Sequence, residues 1–472
     1  MSKKIIYLLS LLMALSLVFA SCKKNGAGDI TGDLTTPPTD NETGKDDADK
    51  NTGLFDSWEK IPTDTAIKEY EIFRNNGTDY YRNPVIVSLG DGRVFLFAEL
   101  RYKRPGAAND VGVDGEGAVD IIYKVSKNSG YDWDSQTYYV VKNSSAIADA
   151  HGAPNIFLLE NNTKIVVVAT AGGGIGRTSK KVGEDGKAAS RVDYAVGTIN
   201  DTKITWDTGW QEVQLNDKKI IDEIQKVQAG GRNSEVFNQY STAQGKGLVL
   251  SDNKSMLLSL VVANQGATTS GNIRELMGRY LLKGTLAGTT ITWTEVQAPI
   301  AYTTSPMDLG PWKETQLYGG TESDPKFFVV PSPWTGTPNL KLGKATGKTE
   351  KPTATMIAAS EGTAGYIELK WFGTGNYDIN TYKDQQKDRA ILLHVADTSR
   401  NLTMHVVDNS SDQFTEKGNG WLINSVGKSS SIEVLPDGTI MYAAEQGGSA
   451  GNYKFFFYRY SQHFIATKTG AN

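Results

Sequence analysis

Two residues have the types and settings to do chemistry together. Arg82 stands in YRNP (81–84), at the mouth of an apolar run, VIVSLGDGRVFLFAE. Glu445 closes SSIEVLPDGTIMYAAE, where two apolar runs again flank an Asp-Gly. A guanidinium is planar and always charged, so it can bind a carboxylate through two donors. The question is whether Arg82 is an ordinary surface charge or one wall of a pocket. Other chemistries lack their patterns. The four histidines, His151, His394, His405 and His463, show no metal-ligand spacing, so no metal and no cofactor are expected. GGGIG at 172–176 lacks the Lys-Ser/Thr and the helix of a phosphate loop.

The elements that must position Arg82 and Glu445 read as strands. Glycine is abundant at 49, with 21 Tyr and 9 Trp among 472 residues, a composition that favours many strands joined by tight turns. Hairpins with an Asp-Gly, Asn-Asn or Asp-Asn centre recur at 84–99, 154–170, 247–263 and 430–445. Those centres tolerate the positive φ of tight turns. The flanking runs are almost continuously apolar, as in strands buried on both faces. A second kind of hairpin closes on Trp133, Trp206 and Trp293. Two hairpins per unit make a four-stranded sheet, and the repeat predicts an all-β, six-bladed β-propeller over residues 55–472. A decorated β-sandwich is the alternative, and the repeated buried hairpins argue against it. In a propeller, polar residues flanking the first hairpin of each unit converge on the axis, which is where Arg82 and Glu445 belong.

The first 21 residues have a charged start at Lys3 and Lys4, an apolar middle and a small-residue end, the layout of an export signal. Cys22 follows FAS and is the chain's single cysteine, so intramolecular disulfides are excluded. The ending FASC resembles a bacterial lipobox, which implies lipidation at Cys22; a plain secretory signal is the alternative. Residues 22–54 are rich in Gly, Asp, Thr and Pro and read as a flexible tether. The expectation is an exported protein, lipid-anchored at the bacterial cell envelope, at the outer membrane or cell surface. Its membrane contact would be only through Cys22. The net charge of −4, without a basic stripe, argues against a nucleic-acid partner.

Several stretches resemble the sialidase (neuraminidase) superfamily, especially its trans-sialidase-like branch. YRNP resembles the F/Y-R-I-P motif. SKNSGYDW (126–133) resembles the Asp-box of BNR repeats, with Ser126, Gly130 and Trp133 kept and Asn128 where Asp is usual. RNLTMHVVDN (400–409), SSIEVLPDGTIMYAAEQG (430–447) and NYKFFFYRYS (452–461) resemble late and closing blades. The resemblance implies a glycan or sialoglycoconjugate partner and a glycoside hydrolase of the exo-α-sialidase type. In that family arginines clamp the sugar carboxylate, a tyrosine with a glutamate base attacks the anomeric carbon, and an aspartic acid protonates the leaving oxygen. Carried across, Arg82 matches the first clamp arginine and Glu445 the glutamate that braces it. Asp110 matches the acid/base, Arg101 a further arginine near the sugar, and Gln239 and Tyr240 a pocket-lining stretch. Glu314 is the candidate for the nucleophile's glutamate.

The departures from the family bear on activity. Ser429, beside Lys428, holds the nucleophile's place. The third arginine's place falls on Ser399, with Arg400 one residue along, and the second arginine's place falls near Ser332. A serine is shorter than a tyrosine by a whole ring and does not reach the same atom, so the family's covalent route is not expected. Three readings follow: a divergent glycosidase using Asp110 and Glu314, a non-catalytic glycan-binding propeller, and a scaffold that uses a propeller face.

Overall fold

The structure, a computed structural model, describes residues 70–74, 79–102, 118–142, 149–174, 189–201, 203–226, 236–265, 275–301, 312–331, 341–346, 353–356, 367–371, 389–395, 402–408, 415–424, 427–435, 440–446, 454–460, 468 and 470. Its strands fall into six sheets that follow one another along the chain. The first contains Asp79–Ser88, Val94–Tyr102, Val119–Ser126 and Tyr138–Tyr139. The second is built on His151–Leu159, Lys164–Ala171 and Arg191–Ile199. The third is built on Gln239–Thr242, Ser255–Gln265, Glu275–Ala287 and Thr290–Ala301. The fourth starts at Trp312–Gly320 and the fifth at Ile367–Trp371. The sixth joins Gly427–Val434, Ile440–Gln446 and Lys454–Tyr460 to the early strand Tyr70–Arg74.

Each sheet packs on the next, and the sixth packs on the first, so the sheets close into a ring. Closure is by exchange of strands. Tyr70–Arg74 pairs antiparallel with Lys454–Tyr460 at the edge of the last sheet. This is a β-propeller, and strand predominates among the described residues. Two sheets depart from the expected four strands. The connection between the second and third sheets is long and adds Gln211–Glu212 to the second and Gln214–Leu215 and Lys218–Lys219 to the third, while Gly245–Lys246, from a break in the third sheet's inner strand, joins the second.

The core lies between neighbouring sheets, which explains the apolar strands without polar alternation. On Val94–Tyr102, Val94, Leu96, Ala98 and Leu100 pack toward the sixth sheet, while Phe95 and Phe97 pack toward the second. Side chains of alternate parity are both buried because both faces of the sheet are covered.

The turn at 126–133 ties the first sheet to the sixth. Ser126 Oγ accepts the Gly130 N–H at 2.8 Å and donates to Asn128 Oδ1 at 3.1 Å. Asn128 Oδ1 in turn accepts the Asp132 N–H at 2.8 Å, so the amide makes the contact without the charge of an aspartate. Trp133 then meets the ring of Phe457 edge-on at 4.9 Å.

Candidate active site at the ring mouth

The inner strand of the first sheet changes register between Arg82 and Val85, with Asn83 at a φ of 57°. This bulge re-aims the residues before it. Asn83 is one of the few residue types that accept a left-handed backbone. The second sheet repeats the device between Gly152 and Asn155, with Ala153 at 47°. The sixth has its own register change between Gly427 and Ser430.

The bulge brings Arg82 to Glu445, with Nε donating to Oε1 at 2.9 Å. Arg82 is 2% exposed and Glu445 0%. Glu445 also accepts the Asn83 N–H at 2.6 Å on Oε1 and the Ser429 N–H at 3.2 Å on Oε2. A second carboxylate, Glu99, does the same one sheet along. It accepts Asn83 Nδ2 at 2.8 Å, Arg101 Nε at 2.7 Å and the Ala153 N–H at 2.7 Å. Thr170 Oγ1 takes the Thr242 N–H at 2.9 Å between the second and third sheets. The layout is therefore repeated. The penultimate stretch of each second strand reads Ala-Glu, Ala-Thr and Ala-Glu at 98–99, 169–170 and 444–445. Its polar member accepts a backbone N–H from the next inner strand. A buried charge pair is tolerated when its remaining lone pairs are filled, and here backbone amides fill them.

Structures of similar fold are known. No protein-family model matches the sequence, and no curated protein does. Solved structures do. Trypanosoma rangeli sialidase in complex with sialic acid superposes with a TM-score of 0.55 at 13% identity, over 85% of this chain. The chain spans 60% of the length of that sialidase. A leech intramolecular trans-sialidase gives a TM-score of 0.53 at 11% identity, covering 86% of this chain and 72% of that one. A protein of unknown function from Dyadobacter fermentans gives 0.55 at 11%, covering 83% and 97%.

This chain has the sialidase fold.

On this sialidase-like propeller, the residues singled out in the sequence divide into three sets. Arg82, Glu445 and Ser429 share one hydrogen-bonded cluster, and Arg101 joins it through Glu99 and Asn83. Gln239 is buried on the inner strand of the third sheet, opposite Ala263. Glu314 lies on the inner strand of the fourth sheet opposite Val330, beside a register change. Asp110, Arg400 and Cys22 lie outside the described residues.

Ser429 is fully buried, and its Oγ has no hydrogen-bond partner among the described residues. A hydroxyl nucleophile needs a base within hydrogen-bond reach, and none of the described residues supplies one to Ser429. Tyr240 offers no substitute. It is enclosed between the second and third sheets, and burial pushes its hydroxyl well above the ordinary tyrosine range.

Sequence reasoning missed Glu99, whose signal was the Ala-Glu ending it shares with Glu445. It also missed Asp193, Arg191 and Trp210, which gather around His151 on the second sheet. His151 Nε2 lies 2.9 Å from Asp193 Oδ2, and its ring stacks on Trp210 at 4.2 Å. Arg191 Nε donates to Asp193 Oδ1 at 2.8 Å. Burial alone would push the Asp193 carboxyl up; the hydrogen bonds from His151 and Arg191 outweigh it and hold the group below the usual carboxylate range. A carboxyl depressed in the folded state contributes stability above its unfolded value, and loses it as pH falls through the folded one. Melting temperatures measured from pH 6 down to pH 3 should fall less steeply for Asp193→Asn than for the wild type below about pH 4. Parallel curves would remove Asp193 from the acid limb.

Proposed function

We propose that this chain recognises terminal acidic sugars of glycans at the ring mouth, as a divergent sialidase-type protein. The observation that carries the reading is the buried Arg82–Glu445 pair, at 2.9 Å, beside the bulge at Asn83. Glu445 takes the Nε edge of the guanidinium and fixes its plane. A sugar carboxylate would share that guanidinium in the planar manner arginine favours. The structures of similar fold, whose own complexes contain sialic acid or a sialic-acid product, support this class of ligand.

Cleavage, on this reading, does not pass through a covalent intermediate, because Ser429 has neither the reach nor a base. Hydrolysis would instead use Asp110 as acid and Glu314 as partner with an activated water, the inverting arrangement in which carboxyls stand about 6.5–9.5 Å apart. The second reading, binding without turnover, is favoured by the unactivated Ser429 hydroxyl. In either case we place the protein outside the cell, held to the envelope through a lipid on Cys22.

The test is a glycan array on the soluble propeller, run beside hydrolysis of a fluorogenic sialoside. Arg82→Ala is expected to remove binding of sialylated glycans, a loss of roughly tenfold or more if one charge-assisted hydrogen bond is lost. Unchanged affinity in that variant would overturn the assignment. Binding without turnover would leave the recognition and retire the hydrolase.

A further inference from the structure

The inner strand of the third sheet is interrupted. Gln239–Thr242 and Leu248–Val249 both pair with Ser255–Gln265, but the residues between them leave the sheet. Gly245–Lys246 instead pairs parallel with Asn155 and Ile156, on the free inner edge of the second sheet. That edge faces the ring axis, so the chain crosses the channel there. Gly247 donates its N–H to Ile156 O at 2.6 Å and lies against Phe157, where a Cβ would come within 2.1 Å of the ring.

The crossing touches three other sheets. Asn155 Nδ2 donates to Ala243 O, and Thr242 Oγ1 to Ala153 O, both on the second sheet's bulge. Lys246 Nζ meets Glu433 Oε2 of the sixth sheet at 2.7 Å. Gln244 Nε2 donates to Pro84 O of the first sheet at 3.0 Å. Pro84 is the second residue of the bulge that aims Arg82. Among the described residues the bulge is also held by the Asn83 N–H on Glu445 and the Asn83 amide on Glu99. Two come from the walls of the ring, and Gln244 supplies one from its centre.

We infer that Gln244 is a positioning residue: from a segment crossing the axis, it fixes the Asn83–Pro84 bulge and thereby the direction of Arg82. The inference rests on the proposed role of Arg82 only for its consequence in binding; the effect on the bulge stands alone. A side chain held on a bulge from one side only would have a wider range of directions, and an anion clamp depends on its direction.

The test uses Gln244→Leu, which keeps the volume and removes the donor, with Gln244→Ala as the second variant should the first not fold. Amide hydrogen exchange is read on the peptide covering 79–88 and on peptides of the fourth and fifth sheets. Exchange in 79–88 is expected to quicken about fivefold, the worth of one neutral hydrogen bond, with the distant sheets unchanged. Affinity for 3′-sialyllactose should fall by about the same factor in the wild-type background and not fall further in Arg82→Ala. Unchanged exchange in 79–88 would overturn the inference, and so would equal quickening in all sheets, which would make Gln244 a general brace. If neither the wild type nor Arg82→Ala binds the trisaccharide, the recognition proposal fails while the exchange result still decides the role of Gln244.

Discussion

Replacing Glu445 by alanine should destabilise the protein by about 3–5 kcal/mol, the usual cost of leaving one member of a buried ion pair behind. The carboxylate holds Arg82 Nε and the N–H groups of Asn83 and Ser429, which come from two different sheets. Water cannot replace it, since Glu445 is 0% exposed and Arg82 2%. Glu445→Gln keeps an acceptor without the charge and should fall between the two. Urea unfolding followed by tryptophan fluorescence gives the comparison. A midpoint for Glu445→Ala within error of the wild type would mean that the sheets close without this clasp. Because the sixth sheet closes the ring on the first, the loss should appear as a cooperative shift of the whole transition and not as fraying of one edge.

The second large effect is expected at Gly130. Its φ of 83° lies in the left-handed region, and a Cβ there would stand 2.5 Å from two ring atoms of Phe457. Phe457 is itself fully buried and braced by Trp133. Neither the backbone nor the ring has room to yield, so strain and overpacking add. Gly130→Ala should cost about 2–4 kcal/mol. Ser126→Ala, which removes only the hydroxyl that accepts the Gly130 N–H, should cost about 1 kcal/mol. Thermal melts of the two variants side by side separate the contributions; equal losses would mean that the turn's hydrogen bond, and not its glycine, carries the packing.

Much of the architecture could be read directly from the residues. Unbroken apolar runs around Asp-Gly, Asn-Asn and Asp-Asn gave hairpins of the first, second, third and sixth sheets, because strands covered on both faces have no reason to alternate and positive φ selects those turn residues. The closing aromatic strand at 454–460 was legible through its resemblance to a closing blade. Matching layouts at the two ends of the chain put Arg82 and Glu445 beside inner hairpins, and the family resemblance paired them. Extra strands on the second and third sheets were not legible, since two-residue pairings carry no periodicity.

Local patterning sets strand, turn and the polar residue that ends each strand, and with them the residues that can gather inside the ring. What those residues do to one another depends on how the sheets assemble. Glu99 and Glu445 accept amides from neighbouring sheets, and Gln244 reaches Pro84 from the axis, 160 residues away in the chain. Hydrogen bonds of that span depend on bulges that turn a strand by one residue and on a ring that closes, and neither leaves a mark in local composition.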